Sequence, residues 1–176
     1  MKLLIAVDLQ NDFIDGALGT REAQGIVDNA VAFIENFNGT IIATKDTHYE
    51  NYLETAEGKN LPVEHCIKGT KGHEINDKVL KSLKENKGLL AIIDKPTFGS
   101  VKLIDILKDI DNKKKIEKVT LIGLCTDICV ISNALLIKAN FPETEIEVIE
   151  NCCAGVTPET HDAAIKTMGM CQIKVK

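Results

Sequence analysis

The chain has 176 residues, 44% of them hydrophobic and 27% charged, with a formal net charge of −5. That size and balance suit one domain with a sizeable core and exclude a disordered polymer. The negative charge disfavours nucleic-acid binding, which needs a basic footprint, and no apolar run is long enough to span a bilayer.

The opening Met1-Lys2-Leu3-Leu4-Ile5 has the flavour of a signal peptide. Asp8, Gln10, Asn11 and Asp12 cut its apolar run too short for one, so the expected location is the cytosol. The first strand runs from about Lys2 to Asp8. A single helix is predicted from Thr20 to Phe37: Thr20 is a plausible cap, and Ile26, Ala30, Phe33, Ile34 and Phe37 recur at helical spacing. Gly39 stops it, and strand two is Thr40–Thr44.

Residues 47–74 form a long polar connection punctuated by Gly and Pro. A loop of that length in a compact domain points to function, and it holds three of the chain's four histidines. Helices follow at about Asn76–Glu85 and Val101–Ile110, separated by strand three, Leu89–Asp94. Lys113-Lys114-Lys115 reads as a solvated turn. Strand four is Lys118–Gly123, with a helix at Asp127–Ala139. Strand five is Glu145–Ile149. Pro158 begins a helix reaching Met168, and strand six is Gln172–Val175. This alternation predicts a mostly parallel, doubly wound α/β sheet.

Several strands end on chemistry. Asp8 follows an apolar strand, Asp46 and His48 follow the second, and Lys95 ends the third. Cys125 and Cys129 follow the fourth. Ligands bind beyond the carboxyl ends of strands in such sheets, and an acid, a lysine and a cysteine are the parts of an acyl-transfer site. Cys129 falls at the start of a helix, where free N–H groups and the dipole lower a thiol's pKa and can hold an oxyanion. A lone cysteine is more often a core filler; its partners change the weight. Asp8 is costly at the end of an apolar strand unless it exchanges protons. Lys95, before Pro96, would hold the acid and favour the thiolate; its plainer role is a snorkelling surface lysine. The other cysteines, Cys66, Cys152, Cys153 and Cys171, have no framework spacing and read as unpaired thiols.

Asp46 and His48 lie two apart and point to one side of an extended segment. With His65 they form a donor set that suits Zn, Fe(II) or Mn. On spacing alone this is weak, and the plainer account is a polar turn built by Asp46. His73 and His161 read as packing or surface histidines.

Three blocks, Asp8-Leu9-Gln10-Asn11-Asp12-Phe13, Lys95-Pro96-Thr97-Phe98-Gly99-Ser100 and Gly123-Leu124-Cys125-Thr126-Asp127-Ile128-Cys129-Val130, resemble the isochorismatase-like cysteine hydrolases, to which nicotinamidases belong. The likeness covers almost the whole chain in the same order. It implies a three-layer α/β/α domain over residues 1–176, with a six-stranded parallel sheet in the order 3-2-1-4-5-6. It implies a catalytic triad of Asp8, Lys95 and Cys129. It also implies a cis peptide at Leu124–Cys125 and oxyanion donors from the backbone N–H groups of Cys125 and Cys129. The metal set would be Asp46, His48, Glu57 and His65, with Glu54 as the other candidate for the third position and zinc as the expected ion. Phe13, Gln10 and Leu124 are the expected substrate contacts. Tyr49 and Tyr52 are further aromatic candidates, because the aromatic residue that nicotinamidases carry before the last histidine is replaced here by Leu61-Pro62-Val63-Glu64.

The expected activity is hydrolysis of a small amide, nicotinamide above all, through a thioester, by a homo-oligomer. An isochorismatase-like or carbamoyl-amide hydrolase is one alternative. A non-catalytic member that binds a ligand or partner is another.

Overall fold

A computed structural model describes residues 1–176. Its six strands are β1 (Lys2–Val7), β2 (Thr40–Asp46), β3 (Leu89–Lys95), β4 (Lys118–Leu124), β5 (Glu145–Ala154) and β6 (Lys174–Val175). They form one sheet, all neighbours parallel, in the order β3-β2-β1-β4-β5-β6. The fold class and strand order are those expected.

The helices are α1 (Asn11–Ile14), α2 (Arg21–Gly25), α3 (Val27–Asn36), α4 (Ala56–Asn60), α5 (Asp77–Glu85), α6 (Val101–Lys113), α7 (Ile131–Asn140) and α8 (Pro158–Met170). The central strands are apolar on both faces because helices cover both. Leu3, Ile5 and Val7 of β1 face Leu103 and Leu107 of α6 and Ala134 and Ile137 of α7. Leu4 and Ala6 join Ala30 and Ile34 of α3 with Val79 and Leu83 of α5.

The structure corrects several expected boundaries. The Thr20–Phe37 helix is two helices, broken after Gly25, the weakest helix former available apart from proline. Thr20 does cap the first, accepting from the Ala23 N–H at 3.0 Å. Strands β2 and β3 each run further than expected and pair Asp46 with Lys95 at their shared end. Strand β5 continues past Ile149 through Ala154, after an irregularity opposite β4 that the polar Glu150-Asn151 disguises as a turn. Cys152 and Cys153 therefore lie within β5. The helix expected at Asp127 starts instead as a π-turn, Thr126–Val130, continued by α7.

β1 and β4 lie where the strand order reverses, so a crevice opens beyond their carboxyl ends. Two conformations belong to this crevice. Asp8 has φ +46°, a left-handed conformation uncommon for a residue with a side chain. Gly123 has φ +122°, and a Cβ there would run into the Val7 carbonyl oxygen, so β1 and β4 approach closely only because this residue is glycine. The Leu124–Cys125 peptide is cis.

Candidate active site

The ends of β1, β2 and β3 and the π-turn after β4 place four side chains around one point. Lys95 and Asp8 are fully buried, with Nζ 2.7 Å from Asp8 Oδ2. The same ammonium lies 3.2 Å from Cys129 Sγ and 3.2 Å from Asp46 Oδ1. The Thr44 hydroxyl donates to Asp8 Oδ1 at 2.6 Å, which fixes the carboxylate. Asp8, Lys95 and Cys129, three separate expectations in the sequence, thus share one buried locus.

The electrostatics differ from expectation at the sulfur. Burial pushes the Cys129 thiol well above its ordinary value, Asp8 adds to this, and Lys95 offsets it only in part. The helix-start argument for a resting thiolate fails, because a fully desolvated sulfur beside a carboxylate resists ionisation more than the turn favours it. Burial also raises Asp8, against the pull of Lys95. Burial alone would lower Lys95, but Asp8, Cys129 and Asp46 outweigh it and keep the amine charged. Cys125, the second thiol on the cavity wall, is pushed up to about 12, by burial first and Asp127 second.

Beside this trio, Asp46, His48, Glu57 and His65 bring their ligand atoms within 4.8 Å of one another. Glu57, on the short helix α4, completes the group, and Glu54 is not part of it. His48 Nε2 is 3.0 Å from Asp46 Oδ2 and 3.5 Å from Glu57 Oε1, and His65 Nε2 is 3.6 Å from Asp46 Oδ2. Two features fit a cation. His48 Nε2 is buried, and its contact with Asp46 Oδ2 is not aligned as a hydrogen bond. His65 Nδ1 lies 2.8 Å from the Val63 carbonyl, which assigns the proton to Nδ1 and turns the Nε2 lone pair toward the cluster. Two imidazoles and two carboxylates suit zinc, and also accept Fe(II) or Mn(II).

Asp46 joins the two groups: one carboxylate oxygen meets Lys95 and the other faces the histidines. Its backbone is clamped by Gln10, whose Oε1 accepts from Asp46 N–H at 2.7 Å and whose Nε2 donates to Asp46 O at 2.8 Å. Gln10 is fully buried and spends its amide on this clamp and on the His73 carbonyl, so it does not face the cavity as expected. Leu124 is also fully buried and off the cavity wall, contributing its backbone at the cis bond rather than a side chain. Phe13 does line the cavity. Tyr52 is buried and donates to the Leu61 carbonyl at 2.9 Å, while Tyr49 is exposed, and neither lines the cavity.

Four supporting residues were not singled out in the sequence for the parts they play here. Asp12 Oδ2 accepts from the Cys66 N–H at 2.7 Å, next to His65. The buried Asn133 donates to the Cys129 carbonyl at 2.8 Å and to the Phe98 carbonyl at 3.0 Å, and accepts from Ser100 N–H at 2.9 Å. Thr126, in the π-turn, sits 2.8 Å from His161 Nδ1 on α8. The only early signal was that Asn133 interrupts an apolar helix.

Comparison with known proteins places this geometry. The family model described as isochorismatase domain matches residues 2–175, and the chain belongs to the isochorismatase family. The nicotinamidase of Schizosaccharomyces pombe is 27% identical, over 98% of this chain and 91% of its own length. The pyrazinamidase of Pyrococcus horikoshii, solved in complex with zinc, is 26% identical with a TM-score of 0.82, covering 99% of this chain and 98% of its own. The N-carbamoylsarcosine amidase of Thermoplasma acidophilum is 27% identical with a TM-score of 0.79, covering 99% and 95%. These relatives are named for the hydrolysis of amides. No helix is long and apolar enough to cross a membrane.

Proposed function

We propose that this hydrolase of the isochorismatase family cleaves nicotinamide to nicotinate and ammonia, with Cys129 as nucleophile. Hydrolysis of amides is the class its nicotinamidase relatives share; nicotinamide is the finer reading. The observation that carries it is the Lys95 ammonium, 2.7 Å from Asp8 and 3.2 Å from Cys129, beside a cluster of two histidines and two carboxylates.

The thiol is protonated at rest, so attack and proton transfer go together. Cys129 Sγ adds to the amide carbonyl carbon as its proton passes to Asp8. Backbone N–H groups of Cys125 and Cys129 receive the oxyanion. Asp8 then protonates the departing nitrogen, the C–N bond breaks, and ammonia leaves a thioester on Cys129. Water, giving a proton to Asp8, hydrolyses the thioester and restores the thiol. Lys95 holds the acid in place and offsets its charge throughout. Asp46, His48, Glu57 and His65 would hold a divalent metal, zinc by preference, which when bound supplies a Lewis-acidic point for a ring nitrogen. Phe13 forms one wall for the ring. The protein acts in the cytosol as a homo-oligomer under this reading.

A second reading is supported by the 27% identity to an N-carbamoylsarcosine amidase and by the aliphatic Leu61-Pro62-Val63 stretch: a carbamoyl amide would need no ring stacking. Ammonia release from nicotinamide and from N-carbamoyl amino acids, each with and without a chelator, separates the two. Nicotinamide turnover that chelation abolishes supports the first; turnover of carbamoyl compounds alone rejects it.

A further inference from the structure

Cys129, with Asp46, Glu57 and His65, lines only part of a cavity of about 700 Å³. Clefts of about 300–1,000 Å³ enclose drug-sized molecules, whereas nicotinamide is one small ring with a carboxamide. The rest of the lining is largely apolar and includes Leu61, Phe98 and Val156 at its solvent-exposed rim. These three come from separate segments: the end of α4, the β3–α6 loop and the β5–α8 loop. They stay 37%, 45% and 50% exposed.

The backbone of each is pinned by a side chain. The Tyr52 hydroxyl donates to Leu61 O at 2.9 Å. The Asn133 amide donates to Phe98 O at 3.0 Å. Val156 N–H donates to Asp127 Oδ2 at 3.0 Å. Asp127 lies in the π-turn that carries the nucleophile and Asn133 in α7 that follows it, so Phe98 and Val156 are tied to the reactive turn, while Leu61 is tied within the 47–74 connection. Apolar side chains held out in water on fixed backbone, around the mouth of a reactive cavity, form a preorganised surface for an apolar group.

We propose that the cavity also takes, and favours, an amide with an apolar extension that rests on Leu61, Phe98 and Val156 while the carboxamide reaches Cys129. This deepens, and rests on, the amide-hydrolase reading of the same cavity. Each methylene fully buried favours binding roughly fourfold. A propyl group on a half-open rim should therefore gain roughly tenfold.

The test compares nicotinamide with nicotinamide propylated at a ring carbon remote from the carboxamide. It uses kcat/KM for the full chain and Kd for Cys129→Ala. The expected result is a propyl preference of about tenfold that Leu61→Asn and Phe98→Ser each reduce at least about threefold. A wild-type ratio of one or less overturns the inference and leaves the nicotinamide reading standing. So does a preference that neither variant changes, including the case in which the variants only dissociate an oligomer formed through the rim. Binding of both amides to Cys129→Ala without turnover by the full chain rejects the proposed function, and the Kd ratio then decides the inference. Binding of neither overturns both.

Discussion

Asp8, Lys95 and Cys129 are held differently from the cluster formed by His48, Glu57 and His65. The first two follow or end strands of one parallel sheet, and the third sits in the turn directly after β4, tied to the β3–α6 loop through Asn133. The metal-ready residues after Asp46 lie in the 47–74 connection, where short pieces of helix and isolated bridges replace a ladder. A strand end is positioned by every hydrogen bond behind it. A loop needs extra ties: Asp12 on the Cys66 N–H, Gln10 on Asp46, and the His48–Ile67 bridge. The trio carries its own cation in Lys95, whereas the loop cluster crowds two carboxylates and two imidazoles within 4.8 Å and gains most from a metal ion.

Four experiments would break or sharpen this contrast. Cys129→Ala should lower turnover by at least about 10³-fold while substrate still binds, read by ammonia release and calorimetry. Activity near that of the parent would remove the sulfur from the mechanism. Lys95→Met leaves Asp8 and Asp46 as buried carboxylates without their cation, at a cost of about 3–5 kcal/mol. In a chain of this size that lowers Tm by roughly 6–20 °C; an unchanged melt would mean the trio is not a rigid, charge-balanced unit.

Asp12→Asn acts on the loop through Cys66 and on the turn after α1 through Ala17, and leaves the trio untouched. Weakening the Cys66 tie should lower metal affinity roughly tenfold and raise KM, with the metal-free melt nearly unchanged. Equal loss in the metal-free protein would show that the loop is as self-supporting as the sheet. The gentlest test is pH. Since burial raises Asp8, the acid limb of kcat/KM should titrate above the ordinary aspartate value of about 3.9. Because Cys129 is also raised, alkylation by iodoacetamide should not climb near pH 8.5 as it does for an ordinary thiol. Fast alkylation that is already flat at pH 7 would restore the resting thiolate expected from the sequence.

The sulfur is the clearest case in which local reasoning failed. A helix start lowers a thiol's pKa when solvent also reaches it, but Cys129 is buried beside Asp8, and desolvation depends on residues far away in the chain. The same limit explains Gln10. The resemblance implied a substrate contact for it, yet its amide fits the Asp46 peptide, brought alongside by β2.

The order of apolar strands and amphipathic helices, with an acid, a lysine and a cysteine after successive strands, already contained the sheet and the positions of the reactive groups. Period and strand-end placement are local properties, so one dimension suffices to read them. The choice of Glu57 over Glu54, the shared ammonium between Asp8 and Cys129, the Asp46 bridge and the pinned apolar rim came only with the tertiary structure. Each depends on the distance between segments brought together by the sheet and its crossovers, and no spacing along the chain encodes that distance.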